Sequence, residues 1–102
     1  MPLFVMLTRL VPGSVIVPSG LEEKEKRVME RIRAECPDVE WLSSYALLGP
    51  YDYLDLFKAP SVEAALRVST LVRTQGHAQT EVWAGTEWYH FKDLIRGLGS
   101  VS

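Results

Sequence analysis

A carboxylate set in the middle of a short alternating run is the most chemically suggestive feature of this chain. In Tyr53-Leu54-Asp55-Leu56-Phe57-Lys58 the period of two puts Tyr53, Asp55 and Phe57 on one face and Leu54 and Leu56 on the other. A second run, His77 to Ala84, sets His77, Gln79, Glu81 and Trp83 against Ala78, Thr80 and Val82. A carboxylate inside a strand is uncommon. Buried without a cation, Asp55 would have a raised pKa and could act as a general base, with His77 or Tyr53 as its proton partner. The alternatives are a wet position or an ion pair with Arg9. His77 and Glu81 stand about 13 Å apart along a strand, too far to hold one ion within a single chain. No metal site is therefore expected.

No phosphate-binding glycine loop, dinucleotide fingerprint or nucleophile elbow occurs, so no cofactor is implied. The net charge of −2 gives no basis for binding nucleic acid or an acidic membrane surface. No run approaches the ~20 apolar residues of a membrane helix. The apolar start, Met1 to Leu10, lacks a basic leader and a cleavage site. Cys36 is the single cysteine, so no internal disulfide can form, and a cytoplasmic location is expected.

The elements that would carry these residues belong to one domain, residues 1–102, with 47% hydrophobic residues to form its core. Leu3 to Leu10 reads as a strand apolar on both faces, with Leu3, Val5 and Leu7 on one and Phe4, Met6 and Leu10 on the other. Such a strand is covered on both sides. After a Pro12–Gly20 loop holding the apolar patch Val15-Ile16-Val17, Ser19 and Glu22 form a capping-box pattern. The helix they open runs to about Cys36, with Leu21, Val28, Ile32 and Cys36 as its apolar stripe. Val39 to Leu48 is a strand, Gly49-Pro50-Tyr51-Asp52 a turn and Tyr53 to Lys58 a strand. A helix follows Ala59-Pro60-Ser61 and stops before Gly76, as a C′ glycine would dictate. After the strand to Ala84, Thr86 can cap a terminal helix (85–98) whose stripe is Trp88, Phe91, Ile95 and Leu98, and 99–102 form a tail.

The order β-α-β-β-α-β plus a helix predicts an α+β, ferredoxin-like fold, with a four-stranded antiparallel sheet and both main helices on one face. Residues 3–84 form its core. With Leu54 and Leu56 packed under the helices, Tyr53, Asp55 and Phe57 lie on the open face with Arg9, His77, Gln79, Glu81 and Trp83. A face so aromatic marks an interface. A homodimer stacked through it, burying roughly 1,500 Å² or more, is the expected assembly.

The stretch Tyr45 to Tyr53 with Gly49, Tyr51 and Asp52, then Ala59-Pro60, Glu63-Ala64-Ala65, Gly76 and Thr80-Glu81, resembles the GYD-domain family, named for its Gly-x-Tyr-Asp signature. The resemblance covers about Leu3 to Ala84 and implies a dimeric α+β barrel with no established activity. Tyr51 and Asp52 suit a turn, Asp52 accepting local amides and Tyr51 packing over the sheet end. Three functions are thus open. One is a small-molecule-binding or regulatory homodimer using Arg9, Tyr53, Phe57, Gln79, Glu81 and Trp83. Another is a cofactor-free oxygenase- or isomerase-like enzyme using Asp55 and His77. The last is a structural protein with a filled barrel.

Overall fold

The computed structural model describes residues 1–14 and 17–99. Val15 and Ile16 of the loop patch, and residues 100–102 of the tail, lie outside them. Seven elements follow in the order β1 (Leu3–Leu10), α1 (Ser19–Glu35), β2 (Glu40–Ala46), β3 (Tyr53–Lys58), α2 (Val62–Gln75), β4 (Ala78–Gly85) and α3 (Trp88–Arg96). The strands form one antiparallel sheet in the order β2-β3-β1-β4. The first and third strands occupy its centre, as the ferredoxin-like arrangement requires.

α1 and α2 cover one face. Val28 and Ile32 from α1 and Ala65, Val68 and Val72 from α2 meet Phe4, Met6 and Phe57 in a single buried cluster. An aromatic ladder crosses the sheet beneath them. Phe57 stacks on Phe4 at 5.6 Å and on Trp41 at 5.3 Å between ring centres. Ser69 and Thr80 share a hydrogen bond of 2.8 Å that ties α2 to β4.

This packing reverses the expected sides of β3. Phe4 pairs with Phe57 and Met6 with Asp55, on the helix side, whereas Val5 pairs with Leu56 and Leu7 with Leu54 on the open side. Phe57 is wholly buried. Alternation tells which residues share a face but not which face turns inward, and here the bulkier aromatic fills the core. Leu54 and Leu56 instead join Val5 and Leu7 on the open face. The sides of β4 are as expected, with Trp83 opposite Val5 and Glu81 opposite Leu7.

Three local expectations are also revised. Pro18 is already helical (φ −57°, ψ −37°), so α1 starts at Ser19 and no capping box forms. The cap of α3 is Glu87 rather than Thr86, and Glu87 pairs with Lys58 at 3.3 Å. At the end of α2, Gly76 keeps a right-handed conformation while His77 takes φ +50°. Gly76 is needed there for space, because a Cβ would lie 2.5 Å from the Val72 carbonyl oxygen. The cap of α2 is formed by Ser61, whose hydroxyl accepts the Ala64 N–H at 3.1 Å. No residue of α3 is buried, and the molecule is 59 Å long.

Candidate functional site

The inward turn of β3 carries Asp55 away from the open face and into a cavity of about 410 Å³ between α1 and the sheet. Met6, Val28 and Ile32 supply apolar walls, and Thr8, Ser44, Tyr53 and Asp55 supply polar groups. The strand register places these groups. Thr8 is opposite Tyr53, Asp55 is opposite Met6 on one side and Ser44 on the other, and all point toward the helices. A bulge between Trp41 and Ser43 lets Trp41 and Ser44 both face inward. The Trp41 indole N–H then donates to the Ser44 hydroxyl at 2.8 Å.

Burial pushes the Asp55 carboxyl above its ordinary pKa, a hydrogen bond from Ser44 opposes the shift, and the nearby Glu25 charge adds to it. Tyr53 is raised for related reasons, first by burial and then by the charges of Asp52, Asp55 and Glu25. The Thr8 hydroxyl oxygen is buried without a hydrogen-bond partner among the described residues. Few buried hydroxyls in folded proteins stand without a partner. Tyr53 and Asp55, two residues apart on one strand face, stand about 7 Å from each other. Together they can orient a small polar group, and Asp55 can exchange a proton with it.

The remaining expected site residues are elsewhere. Phe57 is core. Arg9, Gln79, Glu81 and Trp83 lie on the opposite face of the sheet from Asp55. Arg9 makes no pair with Asp55; it donates to the Pro50 carbonyl at 2.7 Å and lies over the Tyr51 ring. His77 falls in the turn before β4, exposed. Its neighbour Ala78 is opposite Leu10, four residues along β1 from the Met6 opposite Asp55, so His77 is about 13 Å or more from Asp55.

Thr8, Lys24, Glu25 and Ser44 line the cavity without having been singled out. Two carried a signal. Thr8 is the only polar side chain on the inward face of β1. Lys24 interrupts the apolar stripe of α1, three residues after Leu21 and four before Val28, and is buried there with its ammonium donating to the Ser14 carbonyl at 3.4 Å.

The signature turn sits at the open side of the same sheet end. Gly49 has φ +154°, a conformation that side chains rarely adopt. The Asp52 carboxylate accepts the Leu10 N–H at 2.8 Å, and the Asp52 N–H donates to the Thr8 carbonyl at 2.8 Å. Tyr51 donates its hydroxyl to the Glu81 carboxylate, which raises the Tyr51 pKa. The turn therefore joins β2, β3, β1 and β4 at one end of the sheet. The GYD domain matches residues 4–95.

The chain belongs to the GYD-domain family.

Among curated proteins, none matches this GYD chain. Among solved structures, it is similar to the Mycobacterium tuberculosis leucine response regulatory protein, with a TM-score of 0.61 and 15% identity over 86% of the chain. The GYD chain spans about half of that protein, 52% of its length. At this identity the likeness speaks for the ferredoxin-like fold alone. The GYD signature is thus a bracing turn on one side of the sheet end, while the cavity opens on the other side, beneath α1. No helix is long and apolar enough to cross a membrane among the described residues.

Proposed function

We propose that this GYD protein is a small-molecule-binding module that works as a homodimer, its ligand held in the cavity between α1 and the sheet. The cavity carries the reading. It lies within the size range of small-molecule sites, is walled mainly by apolar side chains and gathers a few polar groups, which is the usual composition of such sites. A regulatory use fits the structural neighbour, a leucine response regulatory protein, about half of which shares this fold.

The dimer rests on a separate observation. Val5, Leu54 and Leu56 are half-buried at the centre of the open face around a buried Leu7, and Trp83 and Tyr45 beside them are 53% and 55% exposed. Apolar surface of this kind favours association. Cytoplasmic location remains part of the proposal.

A second reading, a cofactor-free enzyme with Asp55 as general base, draws on its raised pKa inside a cavity. Tyr53 rather than His77 would be its proton partner.

A thermal-shift screen of the whole protein against a panel of small metabolites tests the binding role. Stabilising compounds should lose their effect in Thr8→Val and Asp55→Asn and keep it in Gln79→Ala on the open face. Hits that respond only to Gln79→Ala would move the site to the other side of the sheet. Sedimentation velocity should show a dimer that Trp83→Glu dissociates; a monomer at micromolar concentration would remove the dimer from the proposal.

A further inference from the structure

We propose that the cavity selects a small, mainly apolar molecule bearing one ammonium group. This rests on the binding role proposed above and concerns which chemistry fills the site.

Three carboxylates line the cavity, those of Asp55, Glu22 and Glu25, against one cation, Lys24. The Lys24 ammonium is directed at the Ser14 carbonyl. The ion pairs among the described residues are Arg31–Glu35, Lys58–Glu87 and Arg96–Asp93, and none of them neutralises a cavity carboxylate. Asp55 is thus partly buried, close enough to Glu25 to feel its charge, and without a protein counterion. A ligand anion would add repulsion at this point. A neutral ligand would leave the carboxylate charge uncompensated.

Hydrogen-bonding capacity points the same way. An ammonium has three donors and no acceptor. The inward sheet face offers acceptors: the Asp55 carboxylate, the Tyr53 hydroxyl oxygen and the Thr8 hydroxyl oxygen, the last buried and unpartnered. Thr8 is opposite Tyr53 and diagonal to Asp55 across the β1–β3 pair, a separation of about 7–8 Å between backbones. The three side chains leave the same stretch of the inward sheet face, with Asp55 and Tyr53 lining the cavity beside Thr8. Met6, Val28 and Ile32 would then meet the apolar body of the ligand.

Three probes with the same ring and different head groups separate the possibilities: phenethylamine, 2-phenylethanol and 3-phenylpropanoate. Titrations followed by 1H–15N NMR on the full chain report occupancy at the Met6, Val28 and Asp55 amides, and calorimetry gives affinities. The amine is expected to bind there about tenfold or more tightly than the alcohol, the scale of a hydrogen bond to a charged group. Asp55→Asn should remove most of this preference. Glu25→Gln, an exposed residue of α1 that also lines the cavity, should weaken the amine several-fold and supplies the test if Asp55→Asn does not fold. Alcohol binding as strongly as amine at those amides, or carboxylate binding more strongly, overturns the ammonium preference and leaves the binding role intact. Absence of any shift at those amides with all three probes overturns both.

Discussion

The Asp52 carboxylate accepts the main-chain N–H of Leu10, 42 positions earlier in the chain, at 2.8 Å. The β1–β3 ladder ends at the Thr8–Tyr53 pair, so the Leu10 amide lies just beyond the first residue of β3. The Asp52 side chain extends the ladder by one bond, and its own N–H, given to the Thr8 carbonyl, adds another. The signature aspartate thereby aligns β3 against β1, and that alignment delivers Asp55 and Tyr53 to the cavity.

Asp52→Ala should therefore lower stability by about 1.5–3 kcal/mol, the range for a hydrogen bond to a charged acceptor, and Asp52→Asn by less. Urea denaturation of both variants measures the difference. Equal losses in the two would mean that the acceptor oxygen is not what matters.

Gly76 and His77 make opposite predictions within one turn. A Cβ on Gly76 would collide with the Val72 carbonyl and approach Val28, so Gly76→Ala should destabilise by about 1–3 kcal/mol through displacement of α2 from α1. His77 holds φ +50°, where glycine is unstrained, so His77→Gly should be neutral or stabilising by up to about 1 kcal/mol. Thermal melts of the pair decide it. A destabilised His77→Gly would reveal a role for the imidazole that its exposed position does not suggest.

The element order was legible because glycine, proline and serine punctuate the chain, as at Ala59-Pro60-Ser61 before α2 and Gly76 after it, even though the caps expected at Ser19 and Thr86 do not form. The double apolar coating of β1 implied cover on both sides, and α1 and α2 supply it on one. The side of β3 was not legible. Leu54-x-Leu56 and Tyr53-x-Asp55-x-Phe57 are both acceptable inward faces by polarity alone. The choice was made by neighbours far along the chain: Phe4 and Trp41 offer rings for Phe57 to stack on. That one inversion moved Asp55 into the domain interior and separated it from Arg9, Glu81 and Trp83. Ser44 was hidden by the β2 bulge, which breaks the alternation from which its face would be read.

Thr8 tests whether the cavity wall is built for a ligand at the expense of stability. Its hydroxyl oxygen is buried without a partner, and valine has nearly the same shape. Thr8→Val should raise the stability of the ligand-free protein by about 1 kcal/mol, since it removes an unsatisfied buried polar atom. Guanidinium denaturation measures this directly. A loss of similar size would show that the hydroxyl is satisfied in solution, for instance by an ordered water.

Asp55 extends the same logic to charge, and pH makes the sign readable. Its folded-state pKa lies above the ordinary value of 3.8, chiefly because burial disfavours the carboxylate. The folded protein therefore holds this proton more tightly than the unfolded chain does. The stability linked to it is complete below the unfolded pKa and is lost as pH rises through the folded one. Asparagine does not titrate. Asp55→Asn should accordingly melt at a higher temperature than the native protein at pH 7, and the advantage should fade as the pH falls to about 3, below the ordinary carboxyl value, where the native carboxyl is protonated in both states. Circular-dichroism melts of both proteins from pH 3 to 8 provide the comparison. A difference that is flat across this range, or grows in acid, would place Asp55 in water or beside a cation and remove the buried, uncompensated carboxylate on which the ammonium preference depends.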